Sequence, residues 1–285
     1  MSRRFSALPL GAAVSALSYA VLRPGAHEAG SRWSRVNHAG RPVTLLEGPA
    51  HVAGLVGGGL LAGPGPVVAA LGGGVFGAVD DLAGDAGAKG LTGHLRAAAR
   101  GQVTTGVVKI GGLAVTGLVS AALAESARPA ASGGEVGAFP AQRTGGLTRL
   151  GRVLLGGAVV AGCANLLNLF DLRPGRALKV GMLLGAPVVL AGGPGATGAS
   201  AAVGASLGVL APDLRGEAML GDTGANALGA VLGAALIEGR GVPGRLALLA
   251  GIAAVTLTSE KVSFTALIQR TPWLRALDEW GRPTT

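Results

Sequence analysis

Nine apolar runs, broken only by short charged or Gly/Pro-rich segments, follow one another through this chain. They cover about residues 5–22, 50–63, 66–79, 103–124, 150–164, 180–191, 196–211, 223–237 and 244–258. Such a pattern belongs to a chain that passes repeatedly through hydrocarbon, where helices satisfy their own backbone groups. Several runs hold fewer than the ~20 apolar residues needed to cross a bilayer, so their helices are expected to extend into the flanking segments. The expected fold class is all-α: a polytopic membrane helix bundle of about nine transmembrane helices, forming a single integral membrane domain over 1–285. Arg3 and Arg4 precede the first run, which is read as a spanning helix, with a signal peptide as the alternative.

Composition supports the membrane class. Hydrophobic residues make up 49% of the chain and charged residues 14%, against about 25% charged in a soluble domain. Mean hydropathy is +0.52. Arg outnumbers Lys 20 to 4, a bias that also reflects base composition, so the many Gly pairs are not read as motifs. The net charge of +9 does not point to nucleic acid, because the basic residues lie between apolar runs, where anionic headgroups and a phosphorylated substrate account for them. Cys163 is the only cysteine and is read as a small packing residue.

Nine alternating spans place segments 23–49, 80–102, 165–179, 212–222 and the tail on one side. Every acidic motif then falls on that side, together with most of the Lys and Arg residues. The positive-inside rule makes it cytoplasmic, with Arg3 and Arg4 arguing the other way.

Three constellations end or open apolar runs on this side. Asp80 and Asp81, with Asp85 four residues on, close the third run. Carboxylates are costly in lipid and belong at a boundary or in a wet cavity, where they suit a hard cation such as Mg²⁺ or a base acting on a phosphate; the alternative is a solvated helix end. Asn165, Asn168 and Asp171 are spaced three apart, a polar stripe suited to a ribose, base or sugar, or else to joining helices. Gly221-Asp222-Thr223-Gly224 opens an apolar run; Asp222 or Thr223 reads as an N-cap, and a helix N-terminus also favours phosphate. Lys109, inside an apolar run, must snorkel or pair, with a phosphate or with the acidic cluster. His27, His38, His51 and His94, in or beside two same-side loops, fit no zinc spacing.

Together with Gly40-Arg41-Pro42, these motifs resemble, over about residues 35–230, the polyprenyl-phosphate N-acetylhexosamine-1-phosphate transferase superfamily, which includes phospho-N-acetylmuramoyl-pentapeptide transferase. The resemblance implies a Mg²⁺-dependent phosphoglycosyl transferase of the cell membrane, with its active-site loops cytoplasmic. It would move a sugar-1-phosphate from a UDP-sugar to polyprenyl phosphate, releasing UMP, in cell-wall biogenesis. Catalytic roles are implied for Asp80, Asp81 and Asp222, metal binding for Asp222 and Asp81, and substrate binding for Lys109, Asn165, Asn168 and Asp171. The implied partners are the two substrates and the membrane, with a homodimer among the assemblies allowed. The chain departs from the family pattern where Asp171-Leu172-Arg173-Pro174-Gly175 replaces a second acidic pair, in lacking histidines over 259–285, and in showing no tenth span. These departures keep a second reading open, a non-catalytic relative that binds polyprenyl phosphate or acts as a scaffold. A third reading, a transporter, finds no charge in the middle of an apolar run to support it.

Overall fold

A computed structural model describes residues 3–24, 32–37, 40–83, 100–101, 104–128 and 146–283. Each of the nine apolar runs falls on a helix: α1 (Arg3–Leu22), α2 (Glu47–Gly59), α3 (Pro64–Ala83), α4 (Thr105–Ser126), α5 (Gly146–Phe170), α6 (Arg176–Ala191), α7 (Ala196–Leu214), α8 (Gly221–Ile237) and α9 (Val242–Ser259). Two short helices, α10 (Phe264–Arg270) and α11 (Pro272–Glu279), follow. Five of the helices are long and apolar enough to cross a membrane: α1, α3, α4, α9 and, over Thr148–Phe170, α5. The 13 residues of α2 reach only about 20 Å at ~1.5 Å per residue, short of a ~30 Å hydrocarbon core. The expectation of an all-α chain needs one addition, a small antiparallel hairpin of β1 (Ser34–Val36) and β2 (Pro42–Thr44).

Helices extend past the apolar runs where the flanking residues still favour helix. Thus α3 runs on through Asp80 and Asp81, and α5 runs on through Asn165 and Asn168. Thr104 caps α4, its hydroxyl accepting from the Val107 amide at 3.2 Å. Pro174 and left-handed Gly175 then turn the chain from α5 into α6.

The bundle is organised on α8, whose apolar residues are almost all buried and which packs against α2, α3, α5 and α7. Close approach depends on small residues, as between membrane helices generally. A Cβ at Gly73 of α3 would lie 2.7 Å from Ala227 Cα, and one at Gly77 would lie 2.5 Å from the Asp222 carbonyl carbon. Outside the bundle the surface is apolar instead: Leu17, Val21 and Leu190 are all more than 60% exposed.

The helix ends segregate. One end gathers the C-termini of α3, α5 and α7 with the N-termini of α4, α6 and α8, and carries the acidic motifs. The opposite end is held by the buried Glu125 carboxylate at the foot of α4, which accepts from Arg152 Nε of α5 at 2.6 Å and Arg245 Nη2 of α9 at 2.5 Å, with Arg128 3.6 Å away. At the first end the hairpin docks on the loop before α8, where Met219 N donates to Thr44 O at 3.0 Å.

Candidate functional site

Four elements build the site, and each supplies a side chain for a local reason. On α3, Asp80 and Asp81 are about 100° apart around the helix axis, as adjacent helical residues must be. They therefore meet different neighbours. Asp80 faces Lys109 on the second turn of α4, and Lys109 Nζ donates to Asp80 Oδ2 at 2.8 Å. The same ammonium donates to Asp222 Oδ2 on the first turn of α8. One cation thus joins two carboxylates from helices far apart in sequence. All three side chains are about one-fifth exposed, so the group is sheltered but open to water and to a ligand. Of the two fates the sequence allows an intramembrane lysine, this one pairs.

Asp81 turns the other way and caps α8. Its Oδ1 accepts from the Asp222 amide at 3.1 Å, and its Oδ2 accepts from the Thr223 amide at 2.8 Å and the Thr223 hydroxyl at 2.6 Å. The local reason is Gly221: at φ +60° it bends the chain into the helix where a side chain would collide with the Asp81 carboxylate. The helix N-terminus was expected to be capped by its own Asp222 or Thr223 or to receive phosphate. Its first amides instead meet a carboxylate from another helix: the Asp222 and Thr223 amides both bond Asp81, and the Asp171 carboxyl lies beside Gly221. Likewise Asp81, expected as a metal ligand beside Asp222, has both oxygens engaged, while Asp80 shares the facing position. Arg35 of the hairpin donates to the Asp81 carbonyl and Arg32 Nη2 to the Leu82 carbonyl at 3.4 Å, so the hairpin ties down the C-terminal carbonyls of α3.

Asp171 lies just past α5 and is 7% exposed. Burial, with the Asp213 and Asp222 charges nearby, pushes its carboxyl well above the usual carboxylate range, against the stabilising Gly221 amide. Asn165 and Asn168 are half-buried on α5. Antiparallel packing sets Cys163 against Gly229 and Asp171 against Gly221, which puts both asparagines level with the first turns of α8. The same segments also line a cavity of about 170 Å³ that includes Asp171, Arg173, Asp213 and Asn37. His51 is fully buried inside α2 rather than in a loop, with Nε2 3.3 Å from Ser206 Oγ. Asp85, His27, His38 and His94 lie outside the described residues.

The structure adds buried groups that no motif had marked. Glu47, fully buried at the start of α2, lies against Asp213. Among the described residues neither Glu47 oxygen has a hydrogen-bond partner, and Asp213 uses only Oδ1, which accepts from the Gly175 amide at 2.9 Å. Asn226, one turn beyond Asp222, is 1% exposed, and its amide has no partner among the described residues. Glu47 stands five residues past Gly40-Arg41-Pro42 and Asp213 nine before Asp222, and that proximity to the motifs is the signal the sequence offers.

The donor set decides whether Mg²⁺ fits. Among the described residues no three His, Cys, Asp or Glu side chains form a group able to hold a metal. Mg²⁺, however, is commonly held by one or two carboxylates, with waters and substrate phosphates completing its shell. Asp80 and Asp222 aim one oxygen each at a single cation and remain open to solvent, which fits that mode, while the Asp81 oxygens accept from the start of α8. No protein-family model matches the chain, and no curated protein matches it.

Proposed function

We propose that the chain is a membrane phosphoglycosyl transferase that moves a sugar-1-phosphate, N-acetylhexosamine-1-phosphate by resemblance, from a UDP-sugar to polyprenyl phosphate, releasing UMP. The observation that carries this reading is the meeting of Asp80, Lys109 and Asp222, from three separated sequence motifs, around one charge centre at the polar end of an apolar bundle. In this reading α1 to α9 all cross or enter the cell membrane, and the site faces the cytoplasm, the side on which basic residues concentrate.

Phosphoryl transfer is governed by positioning and charge neutralisation more than by covalent chemistry with the protein. Lys109 offers an ammonium to phosphate oxygens once it leaves a carboxylate. Asp80, half-buried beside it, holds or accepts the proton of the incoming lipid phosphate. Asp222 and Asp80 are the residues that would hold Mg²⁺, which supplies Lewis-acid stabilisation of the pyrophosphate and the departing UMP. Asp81 acts through α8: by neutralising the helix N-terminus it fixes the direction in which Asp222 points. Asp171, with Asn165 and Asn168 on the same stretch of α5, supplies polar groups for the nucleotide sugar.

A second reading, a non-catalytic relative that binds the lipid or serves as a scaffold, is favoured by one observation. At the main departure from the family pattern, the Pro174 carbonyl accepts from Arg282 Nε at 2.9 Å, so that turn serves packing. The test is UMP release by purified protein with short-chain polyprenyl phosphate, a panel of UDP-sugars and Mg²⁺. Release that needs lipid and metal and disappears in Asp222→Asn supports the transferase. Absence of release with every sugar, from protein that melts cooperatively, supports the second reading.

A further inference from the structure

The end of the chain forms a cleft that the transferase reading does not use. Helices α10 and α11 contain 7 and 8 residues, too few to cross a bilayer. They fold back onto the start of α6, where Arg176 and Lys179 bond to them, and Phe264 stacks on Phe170 of α5 at 5.3 Å between ring centroids. Between them lies a cleft of about 540 Å³ lined by Leu183, Val255, Leu267, Leu274, Leu277 and Trp280, among others. That volume lies within the ~300–1,000 Å³ typical of ligand sites.

The chemistry of the lining restricts the occupant. The polar side chains at the cleft, Arg176, Lys179 and Asp278, are held by partners within the protein. Arg176 donates from Nε and Nη2 to the two Asp278 oxygens at 2.7 and 2.9 Å, and from Nη1 to the Thr265 hydroxyl at 3.0 Å. Lys179 Nζ donates to the Leu277 and Asp278 carbonyls at 3.2 and 2.6 Å. The remaining lining is apolar, so the occupant is hydrocarbon. Leu183 and Val255 are themselves exposed on the outer faces of α6 and α9, so the cleft opens onto the apolar surface that a bilayer would cover. Trp273 and Leu277 on α11, and Trp280 at its C-terminal cap, are all exposed at this end of the bundle. Exposed tryptophans are the side chains that settle at the headgroup boundary, and α11 lies at the polar end of the bundle.

We propose that this cleft holds an acyl chain of a bilayer phospholipid, with Trp273 and Trp280 seated at the headgroup level as an interfacial anchor. The proposal is independent of the transferase reading. The chain has three tryptophans, so Trp33→Phe leaves Trp273 and Trp280 as the only tryptophan emitters. In nanodiscs of phosphatidylglycerol and phosphatidylcholine, bromination of the upper acyl chain is expected to quench this emission at least twofold, while aqueous iodide has little effect. Phospholipid retained through detergent exchange is expected near one per protein, and at least threefold less in Ala186→Phe, which fills the cleft. Leu183→Ser at the cleft mouth provides a second variant if Ala186→Phe does not fold. Emission that iodide quenches and brominated lipid does not would overturn the proposal. Retention unchanged in a folded cleft variant would overturn it too. So would one-for-one displacement of the phospholipid by polyprenyl phosphate, which would assign the cleft to that lipid.

Discussion

The two neighbouring aspartates of α3 should behave oppositely when neutralised, and Asp81→Asn is the more demanding case. Its carboxylate receives three hydrogen bonds at the start of α8, at 3.1, 2.8 and 2.6 Å. An asparagine keeps one oxygen. Placed at Oδ2, it retains the two Thr223 bonds but turns its amide N–H groups toward the Asp222 N–H. At least one hydrogen bond to a charged group is lost, worth about 1.5–3 kcal/mol. Loss of the negative charge at the helix N-terminus removes a further ~0.3–1 kcal/mol. The sum, about 2–4 kcal/mol, corresponds to a fall in Tm on the order of 5–15 °C for a chain of this size. Asp80→Asn leaves Lys109 paired with Asp222 and weakens one hydrogen bond, worth about 0.5–1.5 kcal/mol. Melting can be followed with a maleimide dye that fluoresces on reacting with Cys163, which is the only cysteine and is buried. The reasoning fails if the two variants melt within about 2 °C of each other. In the transferase reading, Asp80→Asn melts near wild type and still loses UMP release.

Gly77→Ala puts a methyl group 2.5 Å from the Asp222 carbonyl carbon and 2.6 Å from the Thr223 amide nitrogen; overpacking of that kind costs about 1–3 kcal/mol, and the melting assay should show it. Asp278→Asn leaves Arg176 charged and buried at 4% side-chain exposure, a loss of about 3–5 kcal/mol. Burial alone would raise the Asp278 carboxyl, but the Arg176 bonds and charge, with Arg282, hold it below its ordinary value. Its stabilisation is therefore present above the unfolded value of ~3.9 and lost as pH falls through the folded one, so wild-type Tm should drop more than that of Asp278→Asn on acidification below about pH 4. Asp171 has the opposite sign: its raised carboxyl favours the protonated folded form, so stability declines as pH climbs from the unfolded value toward the folded one. Asp171→Asn should then raise Tm at pH 8 and raise it less at pH 5; an equal effect at both would refute the burial argument.

Much of the helical layout was legible because apolar runs report directly on burial in hydrocarbon. All nine runs lie on helices, yet composition could not tell that α2 has only 13 residues, since its Gly/Pro neighbours read equally as a turn or a helix start. The hairpin escaped notice because strands of three residues carry almost no periodic signal. Its docking partner, the loop before α8, is far away in sequence. The polar motifs were visible as residue types out of place, but their partners were not. Neither Glu47 nor Asp213 belongs to a motif, and only packing shows that both are buried together.

The sequence by itself determined a helical membrane bundle with its acidic and amide residues at the ends of apolar runs, because apolar length and the cost of charge in lipid are local properties. The tertiary structure alone decided the division of labour among those residues. A turn of about 100° per residue sends Asp80 to Lys109 and Asp81 to the start of α8. Gly73 and Gly77 let α3 approach α8 closely enough for both contacts to form. A carboxylate 141 residues away in sequence thus occupies the helix N-terminus that sequence reasoning had left open to phosphate.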